Sequence, residues 1–392
     1  MSTAETTLKR LLDRAETIYS DLEFSAVKRW KEAHPGHKAL GYLPVYAPTE
    51  IVHAAGMLPV AVRGGGPDLE IIRGDAYFQS YICHLPRSVV DLGVSGKLDV
   101  LDGMLFPSTC DVVRNLSGMW KMLFPDRYVR YLDLPHSLAP ELGGKFLANE
   151  WAVLKADLER LSGAPLKDDA LHASIRVYNR HRALLQKLYD ARAADPARVP
   201  TSEAYLVVRA GDVMPVEDHI AFVGEYLEAT AAMTRPEMDL SRVVVTGAFC
   251  EQRPLDLLRT LERSGCGIVD DDLALGTRWL TKPVREDGEP LEALALAYVT
   301  ASVSNACRYE QDETKGKALI DNVRRVHADG VIFCAPSFCD PALLERPMLQ
   351  AALDREKIPH TSFKYAENTG QFQVIREQAG TFSDTIKLWS NA

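Results

Sequence analysis

The sequence lacks the segments that carry proteins into or across a membrane. Its start, MSTAETTLKR, is not followed by an apolar stretch, and no run of about 18 apolar residues occurs further on. The 392 residues carry a formal net charge of −9 and no basic stripe, which argues against binding to a phosphate backbone. We therefore expect a cytoplasmic protein that binds neither a membrane nor nucleic acid.

Motifs of several common cofactor and catalytic sites are also missing. No C-x2-C pair occurs, which excludes a zinc ribbon and the usual ferredoxin cysteine run. No G-x4-G-K-S/T loop occurs, which excludes an ordinary ATP site. The G-x-S-x-G motif is absent, and Gly64-Gly65-Gly66 does not open a helix as a dinucleotide fingerprint must. Dehydrogenase and hydrolase functions therefore lose most of their support.

What the sequence does contain is a repeated cysteine turn. DGMLFPSTCD (residues 102–111) and DGVIFCAPSFCD (residues 329–340) each predict a short buried strand that runs into a Pro-Ser-x-Cys-Asp turn. Cys110 and Cys339 then stand where a strand ends and a helix begins, which is where parallel α/β folds build their sites. Both are placed like ligands or nucleophiles, and a following Asp is suited to cap each helix.

The same order of elements recurs in both halves of the chain. Strand, turn, helix and strand patterns at 40–66 return after Ser241, and long amphipathic helical stretches separate the two. We predict an α/β fold with two Rossmann-like, doubly wound parallel-sheet domains from a duplication, joined by a helical connector. The predicted boundaries are 1–35 for N-terminal helices, 36–143 for the first α/β domain with Cys83 and Cys110, 144–237 for the connector, and 238–392 for the second α/β domain with Cys339.

The seven cysteines form an odd set in a chain without an export signal, so we expect thiols or metal ligands and no disulfide framework. A helix N-terminus lowers the pKa of a thiol, so Cys110 and Cys339 should form thiolates readily. The alternative is that both are small buried core residues. Spacing alone says little about Cys83, and its neighbour His84 is more typical of a surface or packing residue.

The other cysteines divide into three groups. Cys250 begins a predicted helix after a strand and competes with the matched pair, while Cys307 is ambiguous. Cys266 and Cys334 lie in strand-like apolar context, which favours packing.

Acidic residues supply further candidates. Glu50 follows a strand at a helix start, where it could point into a cleft as a proton-handling catalytic group or simply favour the helix dipole. Residues 270–272, three aspartates in a row, are more typical of solvated caps than of catalysis.

Several segments, in this order, resemble the 2-hydroxyacyl-CoA dehydratase and benzoyl-CoA reductase family of iron–sulfur proteins. They are GYLPVYAPTEIVHAAGMLPV, YICHLPRSVVDLG, LDGMLFPSTCDVVR, DDDLALGTR and DGVIFCAPSFCDP. The resemblance covers most of the chain. It implies that Cys83, Cys110 and Cys339 hold a 4Fe-4S cluster between the two domains, alone or within a double-cubane cluster. The fourth iron is left to another ligand or the substrate.

Within that family, the compact length and the C-terminal GQFQVIREQAGTFSDTIKLW are most similar to the smaller cluster-bearing (C, gamma-type) subunit of class I, ATP-dependent benzoyl-CoA reductases. The resemblance implies an enzyme active only in a complex that reduces aromatic acyl-CoA. The implied partners are a larger homologous cluster-bearing subunit, ATP-hydrolysing subunits that activate electrons, ferredoxin as upstream donor, and benzoyl-CoA or a related acyl-CoA.

Three alternatives stay open at this stage. A 2-hydroxyacyl-CoA dehydratase subunit would use the same cluster for radical elimination of water. A double-cubane cluster protein would reduce small molecules. A scaffold subunit would keep the fold with its cysteines merely buried.

Overall fold

Two parallel sheets of four strands form the framework of the molecule. The computed structural model describes residues 2–247, 254–308, 315–366 and 372–390. The first sheet has the order β2-β1-β3-β4, with strands β1 (Ala39–Tyr42), β2 (Leu58–Ala61), β3 (Gly103–Pro107) and β4 (Tyr128–Leu132). The second has the order β6-β5-β7-β8, with strands β5 (Ser241–Thr246), β6 (Cys266–Asp271), β7 (Gly330–Pro336) and β8 (His360–Tyr365). Neighbouring strands are parallel throughout both sheets.

The helices complete two similar α/β units and a connector. The first half contains α1 (Thr3–Tyr19), α2 (Ser25–Ala33), α3 (Thr49–Ala54), α4 (His84–Val94) and α5 (Asp111–Leu123). The connecting helices are α6 (Lys145–Ser162), α7 (Asp168–Ala194), α8 (Thr201–Ala210) and α9 (Val216–Ala231). The second half contains α10 (Leu255–Arg263), α11 (Pro290–Ala301), α12 (Lys317–Arg325), α13 (Asp340–Arg355) and α14 (Phe372–Ser390). The predicted pair of Rossmann-like sheets with N-terminal helices is confirmed.

The central strands are built for burial on both faces. Every residue of β3 and of β7 is buried, as expected of a parallel strand covered by helices on each side. The outer strand β4 is only half-buried along most of its length. An identical strand order in the two sheets supports the predicted duplication, since β1 to β4 then correspond in turn to β5 to β8.

The N-terminal helix α1 is part of the main core. Its buried residues Leu8, Leu11, Ala15 and Tyr19 follow helical spacing and pack in one cluster with residues of α8, α9 and the second sheet. The helix begins with a capping box in which the Ser2 hydroxyl accepts from the Glu5 backbone N–H. Among the described helices, none is both long and apolar enough to cross a membrane.

The two halves meet where the chain leaves β1. The loop after β1 contains Pro44 and Val45, and Gly276 of the second half approaches it so closely that a Cβ atom there would lie 2.5 Å from the Val45 carbonyl oxygen. In both sheets the strand order reverses between the first and third strands of the unit. The carboxyl ends of such strands open a crevice in doubly wound folds, so this edge is where a site is expected.

Candidate functional site

Cys110 and Cys339 occupy equivalent positions in the two halves. Cys110 follows β3 and is the N-cap residue of α5, and Cys339 follows β7 and is the N-cap residue of α13. Each cysteine, and not the aspartate after it, occupies the N-cap position, without a side-chain capping hydrogen bond, because Asp111 and Asp340 are already the first helical residues. The expectation that the aspartates cap these helices is therefore wrong.

The two cysteine turns face each other. The carboxylate of Asp340, beside Cys339, is close enough to Cys110 to raise the pKa of its thiol. Both Cys110 and Cys339 also lie within electrostatic range of a third thiol, Cys307. Cysteines from both halves of the chain therefore lie near one another. We call this contact region between the two halves, which includes the Cys110 and Cys339 turns, the seam.

Burial controls the chemistry of these thiols. It raises the pKa of Cys110 above its ordinary value, and Asp111 and Asp340 raise it further, although the Val113 and Val112 N–H groups at the helix start oppose them. The pKa of Cys307 is raised well above its ordinary value, by burial first and then by the neighbouring thiols. The expectation that the helix N-terminus makes Cys110 a ready thiolate is therefore wrong, because desolvation outweighs the helix end.

Cys83 stands at a third helix start. It is the N-cap residue of α4 and is half-buried. Leu85, two residues further on, belongs to the apolar core against which Cys110 also packs. Cys83 and Cys110 therefore share one α/β unit, with Cys83 before β3 and Cys110 after it.

The thiols of the described residues do not form a compact site for a single ion. Within the described ranges, no three His, Cys, Asp or Glu side chains converge tightly enough to hold one metal ion. A four-iron cubane binds one ligand at each iron corner, so its ligands stand further apart than those of one ion. Thiolate sulfur is the usual ligand of such clusters, so the residue type at these helix starts fits the donor set.

The remaining cysteines mostly pack. Cys266 in β6 and Cys334 in β7 are 1% exposed, which confirms the packing prediction, and burial raises the pKa of Cys266 to about 12. Cys250, the competing candidate, lies outside the described residues. His84 is the first residue of α4.

Glu50 lies in a small cavity lined by residues of both halves. Its carboxylate is 2% exposed, and Oε1 accepts a hydrogen bond of 2.6 Å from Arg182 Nη1. The cavity has a volume of about 60 Å³, enough for a few water molecules. Burial and then the Glu50 charge raise the pKa of Tyr46 well above its ordinary value, and the Tyr46 hydroxyl has no hydrogen-bond partner among the residues described. Glu50 is therefore a buried, charge-paired carboxylate at a helix start.

A pair of histidines lines the same cavity. His181 Nε2 lies 2.7 Å from His219 Nδ1, and His219 Nε2 lies 2.9 Å from the Val207 carbonyl oxygen. Because a carbonyl only accepts, His219 carries its proton on Nε2, and His181 Nε2 donates to His219 Nδ1. Burial lowers the pKa of His219 to about 4 and the pKa of His181 well below its ordinary value. Both rings are therefore neutral at pH 7.

A larger cavity of about 680 Å³ opens at the carboxyl ends of β5 and β6, within the range of small-molecule sites. Ala306, beside Cys307, and Ala342, three residues after Cys339, both line it. Arg182 lines this cavity and the smaller one. The large cavity is therefore lined by sequence neighbours of Cys307 and Cys339 and by the arginine that pairs with Glu50.

The three aspartates at 270–272 form one wall of this cavity and are not solvated caps, so that expectation is wrong. Asp270 is 5% exposed and pairs with Arg278 and Arg325 at 3.1 and 2.6 Å. Burial alone would raise the pKa of Asp270, but the guanidinium groups of Arg278 and Arg192 outweigh it and keep that pKa below its ordinary value. Asp271 pairs with Arg192 at 2.5 Å with both side chains 1% exposed.

Comparison with known proteins places the chain in a family. A sequence profile described as HGD-D, 2-hydroxyglutaryl-CoA dehydratase, D-component, matches residues 44–386. The chain belongs to this family. It is 52% identical over 391 residues to the C subunit of benzoyl-CoA reductase from Thauera aromatica, covering 100% of both chains.

More distant relatives carry dehydratase names. The chain is 28% identical to (R)-2-hydroxyglutaryl-CoA dehydratase, beta subunit, of Acidaminococcus fermentans, covering 90% of this chain and 93% of that one. It is 26% identical to (R)-phenyllactyl-CoA dehydratase beta subunit of Clostridium sporogenes, covering 90% and 92%. The HGD-D family thus contains subunits of both reductases and dehydratases.

Two features of the site have little signal in the sequence. The pattern around Cys307 is ambiguous, although its place before the third strand of the second half matches that of Cys83 in the first. Arg182 lies in the middle of a long amphipathic helix, where nothing in the local pattern separates an inward-facing arginine from a surface one.

Proposed function

We propose that this chain is the smaller cluster-bearing subunit of an ATP-dependent benzoyl-CoA reductase. The observation that carries the proposal is the 52% identity to the C subunit of the Thauera aromatica benzoyl-CoA reductase over the full length of both chains. With a larger homologous subunit it would bind an aromatic acyl-CoA and reduce the ring to a cyclic dienoyl-CoA. Such a protein would work in the cytoplasm of an anaerobic, aromatic-degrading cell.

Cys83, Cys110 and Cys339 are proposed to hold a 4Fe-4S cluster from this chain. Their positions at three helix starts, with the Cys110 and Cys339 turns facing each other, support this assignment. When bound, the cluster supplies electrons one at a time at low potential. The three thiols are half-buried in this chain, which limits the access of water and oxygen only in part.

The protein's own groups at the seam have separate tasks. The large cavity is proposed to admit the acyl-CoA, because its volume suits a small molecule and sequence neighbours of Cys307 and Cys339 line it. Glu50 is proposed to handle a proton at its carboxylate, since it is buried beside a cavity that has room for water. Arg182 holds Glu50 in place through the 2.6 Å hydrogen bond.

The energy source must come from other chains. Adding an electron to an aromatic ring requires a stronger reductant than ordinary carriers provide, and no P-loop for ATP occurs in this sequence. We therefore propose ATP-hydrolysing subunits, charged by ferredoxin, as the electron donors to this subunit.

The test begins with anaerobic purification of the complex from cells that express this chain. We expect a brown complex whose iron content falls in the Cys110→Ala and Cys339→Ala variants and is retained in Cys266→Ala, which removes a buried thiol in β6. A colourless, iron-free complex that is folded and active would contradict the cluster assignment.

A dehydratase subunit is the second candidate, favoured by the HGD-D profile and by the dehydratase relatives. The two functions differ in their products. With ATP and a strong reductant, the reductase converts benzoyl-CoA to a dienoyl-CoA, whereas the dehydratase eliminates water from a 2-hydroxyacyl-CoA. If the complex forms the unsaturated product from 2-hydroxyacyl-CoA and leaves benzoyl-CoA unchanged, the reductase proposal is refuted.

A further inference from the structure

Cys307 lies in the same interval of the second half, between the second and third strands, as Cys83 does in the first, although Cys83 begins a helix and Cys307 lies in a loop. In each half, one cysteine lies between the second and third strands and another ends the turn after the third strand. Cys83 precedes Cys110 by 27 residues, and Cys307 precedes Cys339 by 32 residues. The duplication therefore predicts two cysteines from each half and not the uneven set of three.

The folded chain brings Cys307 to the other thiols. Cys307 and Cys339 pack against the same apolar cluster, although their positions in sequence differ by 32. Ala306 and Ala342, their close neighbours along the chain, line one cavity together. Cys110 and Cys339 both lie within electrostatic range of Cys307. Packing, cavity lining and electrostatics therefore agree on one location.

A defined turn holds Cys307 in this position. Asn305 is 8% exposed, and its Oδ1 accepts the Cys307 backbone N–H at 2.8 Å. The Asn305 side-chain amide donates to the Val303 carbonyl oxygen at 2.8 Å. On the other side, Arg308 Nη1 donates to the Ser302 hydroxyl at 3.1 Å. The backbone at Cys307 is thus held by a hydrogen-bonded turn, which would restrict the position of the thiol as outer-shell hydrogen bonds do for metal ligands.

We propose that Cys307 is a fourth thiolate ligand of the cluster, bound to the iron that the set of Cys83, Cys110 and Cys339 leaves open. This inference rests on the proposed cluster site. Binding breaks the Cys307 S–H bond, forms an iron–sulfur bond and releases the proton to solvent, so no electron is exchanged.

A cluster with four thiolates has a different task from one with an open iron. It has no free corner for substrate, so it passes electrons on without binding acyl-CoA through iron. The added negative charge also favours a lower reduction potential, since thiolate ligation lowers the potential relative to neutral ligands. Substrate contact with an open iron, if the reaction needs it, then falls to the larger subunit.

The test uses the anaerobically purified, ⁵⁷Fe-enriched complex with Cys307→Ser and Cys307→Ala in this chain. Mössbauer spectra and redox titrations give readouts that do not depend on turnover. For both variants we expect an altered environment for about one iron per copy of this chain. Cys307→Ala, which leaves no anionic ligand at this position, should also raise the reduction potential or lose this chain's cluster. Cys266→Ala serves as the matched control, because it removes a buried thiol from a different part of the second half, and it should match the wild type.

The outcomes separate this inference from the proposed function. If Cys110→Ala loses iron while both Cys307 variants keep the wild-type spectrum and potential, the fourth-ligand assignment is overturned and the proposed cluster stands. If Cys110→Ala and Cys339→Ala also keep the wild-type spectrum, the cluster site itself is wrong, and the fourth ligand fails with it.

Discussion

The buried histidine pair makes the stability of the chain depend on pH in a defined direction. Burial lowers the pKa of His219 from its ordinary value of 6.5 to about 4 in the folded protein. His219 therefore becomes protonated near pH 6.5 in the unfolded chain but only near pH 4 in the folded chain. The contribution of neutral His219 to stability is fully present above pH 6.5 and is lost as the pH falls through this window.

The magnitude follows from linkage. A shift of one pKa unit corresponds to about 1.4 kcal/mol, so His219 alone should cost about 2 kcal/mol of stability on going from pH 7.5 to pH 5. His181, whose pKa is also lowered well below its ordinary value, shifts stability in the same direction. The His219→Gln variant removes the titration of His219 but can still donate to Val207 and accept from His181.

The assay is urea unfolding at pH 7.5 and pH 5, followed by tryptophan fluorescence on the iron-free chain so that cluster loss does not contribute. We expect wild type to lose about 2 kcal/mol more than His219→Gln between these pH values. The exposed His37 provides a control, and His37→Gln should keep the wild-type pH dependence. Equal pH dependence of wild type and His219→Gln would refute the assignment of a buried, neutral His219.

Two further substitutions test the packing of the seam and of the cavity wall. Gly276→Ala would place a Cβ atom 2.5 Å from the Val45 carbonyl oxygen, so we expect a lower thermal midpoint of unfolding. Gly118→Ala in α5 is the control, because nothing lies within 4 Å of the new Cβ atom. It should be neutral or stabilise the chain by up to about 1 kcal/mol. Arg192→Met leaves the buried Asp271 carboxylate without its charge partner, so the free energy of unfolding in urea should fall by about 3–5 kcal/mol. The double variant with Asp271→Leu should recover most of that loss. A double variant as unstable as the single one would contradict the pairing.

The fold could be predicted from the sequence because its rules are local. Continuous apolar runs bounded by turns predict β3 and β7, and the repeated order of elements predicts two similar sheets. The turns after those strands also placed Cys110 and Cys339 correctly at helix starts. Parallel topology then determined that both lie at the same kind of edge.

The electrostatic character of the site could not be predicted in the same way. The pKa of Cys110 depends on how much protein covers it, and that cover comes from elements distant in sequence. The local sequence predicts solvated aspartates at 270–272 because their arginine partners lie elsewhere in the chain: Arg192 in α7 and Arg325 in α12. Pairing between distant elements leaves no local pattern to read.

The seam between the halves would give a bound cluster a mechanical role. Cys110 and Cys339 stand more than two hundred residues apart in sequence, so a cluster bound to both would act as a cross-link that closes a very long loop. Such a link restricts the separated arrangements of the two halves, which favours the closed form in the way that loop closure stabilises a native state. Oxidative loss of the iron would then remove this cross-link together with the electron carrier, and the halves would still be held by their shared apolar core, in which Tyr46 packs with Trp279.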